Sequence, residues 1–448
     1  MTTINLDKAL KINIPRVTPD LSPVSFETSD GLSGWFTHFP GSRPIATPAY
    51  DKSLLFVGGG YGSYEFVALD AASGEVVWRT TTADDGPTAA VVEDDLVAFN
   101  TESCSIIVCR TQTGEVVWQE WLGDPLMSQP AIDKGKLFLA YPTGQRQGSP
   151  IRGHAMLCAD LRTGRHVWEQ EITGDVMTAP VISDDQLFFT CFDGTAFCLD
   201  AESGKVEWRE RTDSTAAPLV VEDEVIMPEK RQTRQQVEEP VWRRNRNTGE
   251  RSHAEAMMIK EAAFLGVGES MSTGLDNDYC ADLDGSVGFA SAPHAAKLNA
   301  AHRHVGVSTV AAAWAYQGSR ASYGKGKFYQ AGSGSVDCTD KKTGQSWKTK
   351  FTGKDVNLDD QIFLPPSMGK DYLYLGSRYG HLVSVNQDTG STGFCYQTSH
   401  PMSFQPCLAE GSIYVGTNHG GLLCLKTGQN DASDWHMWGG NAQHNKTS

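Results

Sequence analysis

A short phrase recurs eight times along the chain, and it constrains the fold more than any other feature. In its fullest form a small or acidic stretch leads into Ser/Thr-Gly, and a Trp follows four residues after the Gly. The complete copies are LDAASGEVVW, CRTQTGEVVW, ADLRTGRHVW and LDAESGKVEW, which end at Trp78, Trp118, Trp168 and Trp208. Weaker copies surround Gly249, Gly344, Gly390 and Gly428. Repetition at a period of about 20–50 residues is typical of solenoids, propellers and arrays.

One repeat has the pattern of four short strands. In TAPVISDDQLFFTCFDGTAFCLD the apolar runs predict strands at Pro180–Ile182, Gln186–Cys191 and Thr195–Leu199, and Lys205–Trp208 begins a fourth. Asp-Gly between such runs is a strong hairpin signal, because both central residues need a positive φ. Four antiparallel strands in about 40–45 residues form the blade of a β-propeller. A helical solenoid would need a period of 3.6 residues, and these segments alternate instead.

The number of copies predicts an all-β fold, an eight-bladed β-propeller of four-stranded antiparallel blades. Seven blades plus a subdomain is the alternative, because the copy at Gly249 lacks its downstream Trp. We divide the chain into an N-terminal segment, 1–44, that helps to close the ring, and a propeller, 45–448. The stretch between Gly249 and Gly344 is about 50 residues longer than one blade needs, which places an insertion near 254–312.

The repeat resembles the blade of PQQ-like, quinoprotein-type propellers, whose signature is Ala-x-Asp-x-x-Thr-Gly-x-x-x-Trp. The resemblance covers about residues 45–253 and 315–428. It implies that each Trp docks on the turn glycine of a neighbouring blade, where no Cβ intervenes. An aromatic ligand cage built from the tryptophans is the alternative. The predicted docking residues are Gly74, Trp78, Gly114, Trp118, Gly164, Trp168, Gly204, Trp208, Gly344 and Trp347.

The two ends of the chain are candidates for closing the ring. Asp434–His444, DWHMWGGNAQH, resembles the segment at the ends of PQQ-like propellers. We expect Trp435 and Trp438 to contribute to closure there, with Gly34–His38 pairing with the segment. Pairing the two ends removes the open sheet edges that a ring would otherwise leave. A ligand-binding role for Trp435, Trp438 and His444 is the alternative.

The predicted insertion holds candidate metal ligands. His302 and His304 form His-x-His, which on a strand would place both rings on one face, and His294 and Cys280 lie nearby in sequence. Surface or packing histidines are the alternative. A calcium-loop interpretation of Asp276–Gly285 fails, because the required acidic residues are missing from its first and last positions.

Charge, termini and cysteines limit the class of protein. A net charge of -16 argues against nucleic acid or an anionic membrane as partner. Residues 1–25 contain neither a secretory signal nor an apolar run long enough to cross a membrane. The ten cysteines are scattered and do not form a disulfide framework. We therefore expect a cytoplasmic protein, or a periplasmic or extracellular one if a signal peptide was removed.

Motifs that would carry catalysis are incomplete. The sequence has no Gly-x-Ser-x-Gly elbow, P-loop or complete Gly-x-Gly-x-x-Gly fingerprint. Quinoprotein dehydrogenases share this blade and hold PQQ with Ca²⁺, but none of their ligands can be mapped onto this chain. We therefore predict no cofactor, with PQQ and calcium as the alternative.

The chain resembles the non-enzymatic, BamB-like branch of the family more than the dehydrogenases. That resemblance predicts a binding or scaffold protein that holds a protein or peptide partner through its rim loops and the 254–312 insertion, without nucleic acid and without membrane insertion. Two alternatives stay open. One is a PQQ- or metal-dependent enzyme that oxidises sugars or alcohols in the central channel, and the other is an accessory protein of a biosynthetic pathway.

Overall fold

The structure is a computed structural model of the 448-residue chain. It describes residues 2–123, 129–143, 151, 153–176, 178–191, 193–212, 214, 217–228, 231–232, 237–238, 241–252, 321–331, 334–354, 363–429, 440–441 and 444. Strands dominate these residues, and a short 3-10 helix covers Leu6–Lys8.

The N-terminal segment carries four short strands before the first repeat. They are β1 (Thr2–Asn5), β2 (Leu10–Lys11), β3 (Val24–Glu27) and β4 (Ser33–His38). Each joins a sheet formed by residues more than 300 positions later in the chain.

Blades 1 to 4 repeat one four-stranded pattern in which consecutive strands are neighbours. Blade 1 contains β5 (Ala49–Asp51), β6 (Leu54–Gly58), β7 (Glu65–Asp70) and β8 (Val76–Thr81). Blade 2 contains β9 (Val91–Glu93), β10 (Leu96–Asn100), β11 (Ser105–Arg110) and β12 (Val116–Trp121). Blade 3 contains β13 (Ala131–Asp133), β14 (Lys136–Pro142), β15 (His154–Asp160) and β16 (His166–Ile172). Blade 4 contains β17 (Val181–Ser183), β18 (Gln186–Thr190), β19 (Thr195–Asp200) and β20 (Val206–Arg211), within a few residues of the predicted strands.

Blades 5 to 8 vary this pattern. Blade 5 contains β21 (Leu219–Val221), β22 (Glu224–Pro228) and β25 (Val241–Asn245), with the separate hairpin β23 (Arg231–Gln232) and β24 (Val237–Glu238). Blade 6 contains β26 (Ala321–Gly324), β27 (Lys327–Ala331), β28 (Ser335–Asp340) and β29 (Ser346–Thr352). Blade 7 contains β30 (Ser367–Met368), β31 (Tyr372–Gly376), β32 (His381–Asn386) and β33 (Thr392–Gln397). Blade 8 contains β34 (Cys407–Ala409), β35 (Ser412–Gly416) and β36 (Gly421–Lys426). The protein is an eight-bladed β-propeller, as the repeats predict.

The recurring Asp-x-x-Ser/Thr-Gly sequence forms the turn before the last strand of a blade. In blade 3 one carboxylate oxygen of Asp160 accepts from the backbone N–H of Thr163 at 2.8 Å and from its hydroxyl at 2.7 Å. The N–H of Gly164 donates to the Asp160 carbonyl oxygen at 2.9 Å, and its φ of 71° favours glycine. The Thr163 hydrogen bonds hold the pKa of the Asp160 carboxyl below its usual range.

The first two N-terminal strands extend blades 6 and 7. Strand β1 pairs in parallel with β29, and β2 pairs in parallel with β33. Ile4 and Leu6 are buried beside Phe351 in the hydrophobic core there, and the N–H of Ile12 donates to the Gln397 carbonyl oxygen at 3.0 Å. We call residues 2–12 the N-terminal strap.

The last two N-terminal strands complete blade 8, whose strand order is β3-β4-β36-β35-β34. Strand β4 pairs antiparallel with β36, so that Gly34 faces Leu425 and His38 faces Gly421. Both edges of β4 are therefore occupied, by β3 and β36. Most of Asp434–His444, the expected partner of Gly34–His38, lies outside the described residues. The last blade takes its outer strands from the N-terminal segment.

The chain divides into two compact units. One contains Met1–Val92, Thr111–Gly114 and Arg320–Lys446, and the other contains Glu93–Arg110, Glu115–Ser319 and Thr447–Ser448. Each has its own apolar core, for example around Leu55, Val67 and Tyr414 in the first unit and around Phe138 and Phe189 in the second. Among the described residues, no helix has the length and apolar character to cross a membrane.

Candidate functional site

The repeat tryptophans lie across turn glycines of the following blade. The Cε3 atom of Trp78 lies 2.5 Å from the position that a Cβ on Gly114 would take, and Trp78 Nε1 donates to the carbonyl oxygen of Thr111 at 2.8 Å. A side chain at Gly114 would therefore collide with the indole, and its φ of 71° adds strain. The same contact pairs Trp118 with Gly164, Trp168 with Gly204, Trp208 with Gly249 and Trp347 with Gly390.

These side chains do not converge on one pocket, since each ring covers a different glycine. Trp78 and Trp208 are buried, whereas Trp118, Trp168 and Trp347 are half-buried. The rings therefore act as joints between neighbouring blades. The predicted docking glycine of blade 6, Gly344, has no described atom within 4 Å of its Cβ position.

Trp35 makes the same contact between two blades, although the repeat pattern did not predict it. It lies in β4 and covers Gly74 of blade 1, and its Nε1 donates to the Ala71 carbonyl oxygen at 3.1 Å. Thr37 donates to the Gly74 carbonyl oxygen at 3.2 Å. The sequence held a signal, because Gly31 precedes Trp35 by the four residues seen in the other copies. The residue directly before Gly31 is Asp30 and not Ser or Thr, so the motif was incomplete.

Several predicted site residues lie outside the described part of the chain. These are His294, His302 and His304 with the whole 254–312 insertion, and Trp435 and Trp438. His444 is described and buried, and its Nδ1 lies 2.8 Å from the carbonyl oxygen of Ala90. Within the described residues, no group of three or more His, Cys, Asp or Glu side chains could hold a metal ion.

A group of histidines lies on loops of blades 7 and 8. His38 ends β4, and its Nε2 lies 3.1 Å from the Ser42 hydroxyl. His400 lies before β34, with its ring centroid 4.7 Å from that of Phe36. Burial lowers the pKa of His400, and the nearby imidazoles of His38 and His419 lower it further. Protonation of His400 is therefore disfavoured in the folded protein.

Arg43 lies in the loop that leads from blade 8 to blade 1. Its Nη1 donates a hydrogen bond to the Tyr61 carbonyl oxygen. Burial raises the pKa of the Asp85 carboxyl, the neighbouring Asp84 raises it further, and Arg43 opposes both effects. These loops present charged and imidazole groups, the side-chain types that recognise charged groups on a partner.

The outermost strands of blades 2 and 3 expose large apolar side chains. Trp121 on β12 is 51% exposed, and Val116 on β12 and Val167 on β16 are also exposed. His166 of β16 links the two strands, because its Nε2 lies 2.8 Å from Glu120 Oε2 and its Nδ1 lies 3.0 Å from Glu169 Oε1. Exposed apolar groups held on a rigid, paired scaffold are suited to contact another protein.

The described cysteines are free thiols, and all except Cys395 are buried. Burial raises the pKa of Cys191 and of Cys158 to about 12. A thiol with such a pKa stays protonated near neutral pH and is a poor nucleophile. These cysteines therefore fill space in the strands as small apolar side chains.

Comparison with known proteins supports this architecture. The sequence profile of the family described as "Outer membrane protein assembly factor BamB" matches residues 24–252 and 157–430, most of the chain. The chain belongs to this BamB family. No curated protein sequence matches it.

Solved structures resemble this BamB-family chain at low sequence identity. BamB from Moraxella catarrhalis is 14% identical, with a TM-score of 0.55 over 90% of this chain and 98% of its own. The quinohemoprotein alcohol dehydrogenase ADHIIG from Pseudomonas putida HK5 is 12% identical, with a TM-score of 0.52 over 89% of this chain and 76% of its own. Sqt1 from Saccharomyces cerevisiae is 10% identical, with a TM-score of 0.55 over 87% of this chain and 97% of its own. At these identities the likeness shows the fold alone, and a fold does not determine function.

Proposed function

We propose that this BamB-family chain is a binding or scaffold protein that holds a protein or peptide partner. The observation that carries the proposal is Trp121, which is half exposed on an outermost strand whereas the repeat tryptophans are docked on glycines. Tryptophan is enriched among the residues that dominate interface energetics, because a large rigid ring gains much contact at little entropic cost.

We propose that other exposed groups contribute further contacts. Val116 on the same strand as Trp121 and Val167 on β16 are further exposed apolar side chains of the same unit. The rim loops around His38, Arg43 and His400, and the 254–312 insertion, are proposed as further contact sites for a protein or peptide partner. The family description, an outer membrane protein assembly factor, supports a role in holding another protein.

The test places a photo-crosslinking amino acid at position 121. The matched control carries it at Arg209, an exposed position on β20 of the same unit. We expect a specific crosslinked partner in cells of the source organism from position 121 and not from position 209. The purified partner should then bind Trp121→Ala at least tenfold more weakly than the unchanged protein, which calorimetric titration measures.

Two results would contradict the proposal. One is an equal crosslinking pattern at both positions. The other is steady dye reduction by the purified protein with PQQ, Ca²⁺ and an alcohol, since that activity would favour the enzyme alternative.

A further inference from the structure

Four loop segments in and around blades 7 and 8 contain no acidic residue, although the whole chain carries a net charge of -16. They are residues 38–47, 376–381, 398–406 and 417–421. We call these four segments the basic rim. Its basic side chains are His38, Arg43, Arg378, His381, His400 and His419. Any charge that the segments carry is therefore positive, opposite to that of the whole chain.

Backbone hydrogen bonds join the four segments of the basic rim into one surface. Three N–H···O=C bonds connect them: Phe39 to Gly420 at 2.7 Å, Asn418 to Pro401 at 2.8 Å and Met402 to Ser377 at 3.0 Å. The basic side chains are therefore carried by a common framework and not by independent loops.

Three of the histidines lie in one region of this surface. The rings of His38 and His400 both contact the buried ring of Phe36, at centroid distances of 6.3 and 4.7 Å. The Cδ2 atom of His38 also lies 3.1 Å from the position that a Cβ on Gly420 would take. The residue before Gly420 is His419, which is exposed. The third imidazole therefore belongs to the same region as the other two.

The charges that act on His400 come from its neighbours in this region. Burial lowers the pKa of His400, and the imidazoles of His38 and His419 lower it further. No carboxylate of the described residues is among the groups that shift this pKa. Protonation of several of these imidazoles is therefore unfavourable until an anion supplies the opposite charge.

Carboxylates occur only at the borders of the basic rim. Asp7 of the N-terminal strap acts on His381. At the other border Arg43 acts on Asp85 of the loop that follows blade 1. Neither carboxylate provides a counter-charge for His400.

The imidazoles do not converge on a single point. Among the described residues, no three His, Cys, Asp or Glu side chains could hold one metal ion. Such a spacing fits several carboxylates that are spread along a chain better than one small ion. Nucleic acid, a much denser polyanion, is disfavoured by the net charge of the whole protein.

We propose that the basic rim is a docking site for an acidic segment of the partner protein, whose carboxylates pair with His38, His400, His419 and Arg43. Each carboxylate supplies the negative charge that the rim lacks, so binding of the segment and protonation of the imidazoles favour each other. This inference rests on the proposed function and names the chemistry of the partner.

Affinity should rise as the pH falls. The imidazoles take up protons below about pH 7, whereas Glu carboxylates stay ionised down to about pH 4.5. Between these limits the surface and the segment carry opposite charges. The complex should therefore be tightest in mildly acidic solution and should weaken with added salt.

The probe is a rhodamine-labelled peptide in which Glu alternates with Gly, titrated into the full-length protein and followed by fluorescence anisotropy. The matched peptide has Gln in place of every Glu. At low ionic strength we expect the Glu peptide to bind at least about tenfold more tightly at about pH 5.5 than at about pH 8. The Gln peptide should bind at neither pH.

Substitutions at His419 separate charge from structure, because this side chain is exposed. His419→Gln should reduce the ratio of the two affinities at least about threefold, since one titrating group is lost. His419→Arg keeps a positive charge at both pH values and should strengthen binding at about pH 8. Arg209→Gln removes an exposed positive charge from β20, outside the basic rim, and should leave binding unchanged.

Four outcomes would overturn the inference. They are no binding of the Glu peptide at millimolar concentration in the acidic buffer, equal affinity at the two pH values, a pH dependence unaffected by His419→Gln, and tighter binding of a single-stranded oligonucleotide than of the Glu peptide. If position 121 crosslinks a partner while the Glu peptide fails, the assignment of the basic rim is wrong and the proposed function stands. If crosslinking also fails, both are wrong.

Discussion

At the scale of single residues, the propeller depends on contacts between a tryptophan ring and a glycine, which has no side chain to obstruct the ring. The indole of Trp78 occupies the space that any Cβ on Gly114 would need, and its N–H satisfies a carbonyl oxygen of the same turn. The contact joins apolar burial to a directed hydrogen bond. Turn and tryptophan therefore form one unit, which explains why they recur together in the sequence.

Substituting Gly114 tests the contact between this turn and Trp78. Gly114→Ala should lower the free energy of unfolding by about 2 kcal/mol more than Gly135→Ala, because the new methyl group collides with the Trp78 ring. Gly135 has nearly the same φ, 72° against 71°, but no described atom lies within 4 Å of its Cβ position. The control should therefore show only the backbone strain, about 1–2 kcal/mol. Urea unfolding followed by tryptophan fluorescence measures both, and equal losses would contradict the clash.

His400 gives the stability a pH dependence with a defined sign. Because burial lowers its folded pKa below the ordinary value of 6.5, the unfolded chain takes up this proton first as the pH falls. Its contribution to stability is fully present above the unfolded pKa, and it decreases as the pH falls toward the folded pKa. His400→Gln should therefore reduce the loss of stability between about pH 7.5 and pH 5.5.

Thermal unfolding at several pH values measures this effect. Burial also lowers the pKa of His381, so His381→Gln should likewise reduce the pH dependence. A pH dependence identical to that of the unchanged protein in both variants would contradict the assignment.

At the scale of elements, the blades differ most in how their outer edges are completed. Blades 6 and 7 receive the strap, blade 8 receives β4 and β3, and blades 1 to 4 end at their own fourth strand. The strap is anchored by buried Ile4 and Leu6, and by a hydrogen bond from the Lys354 N–H to the Asp7 carboxylate at 3.0 Å. It therefore covers Phe351, which would otherwise lie at an open edge.

Removing residues 2–12 tests the role of the strap. We expect faster hydrogen exchange in β29 and β33, because their outer backbone groups lose partners and Phe351 becomes exposed. Strand β12, which the strap does not touch, is the internal control and should exchange as before. Unchanged protection of β29 would show that the strap is dispensable for that edge.

At the scale of the whole molecule, the repeats predicted the fold class and the blade count, and the structure confirms both. They did so because the Asp-x-x-Ser/Thr-Gly turn is a local device, whose hydrogen bonds lie within five residues of sequence. The Trp four residues later makes its contact in the next copy of the same unit, so one period of sequence contains the whole joint. The predicted strands of blade 4 differ from the observed ones by only a few residues for the same reason.

The strap and the completion of blade 8 could not be predicted in this way. Strand β2 has only two residues and β1 has four, too few to show a periodicity, and their parallel partners are set by distant contacts. The aromatic character of Gly34–His38 indicated a structural role, but not its partner, Gly421–Lys426. The exposure of Trp121 could not be predicted from the sequence either, because a Trp in a β-rich run predicts burial. The predicted metal ligands His294, His302 and His304 and the closure residues Trp435 and Trp438 lie outside the described residues and stay predictions.

Excising Glu255–Ala311 tests whether the propeller folds without the insertion. Joined by a short Gly/Ser linker, the remaining chain should keep its circular dichroism and a cooperative unfolding transition, because a blade depends mainly on its neighbours. Binding of the crosslinked partner should weaken if the insertion adds contacts. Loss of the folded state after excision would show that the segment braces the propeller.

The pairing of β4 with β36 has a consequence for biosynthesis. His38 and Gly421 are separated by roughly 380 residues, and closing a loop of that length costs on the order of 5 kcal/mol of chain entropy. At about 5–20 residues per second, the ribosome delivers β36 roughly 20–80 s after β4 has emerged. During that time β4 lacks its partner strand β36, against which Phe36 is buried in the finished protein. Strands β3 and β4 are thus made long before the strand that completes their sheet, and a nascent chain presents an unpaired edge of β4 until β36 arrives.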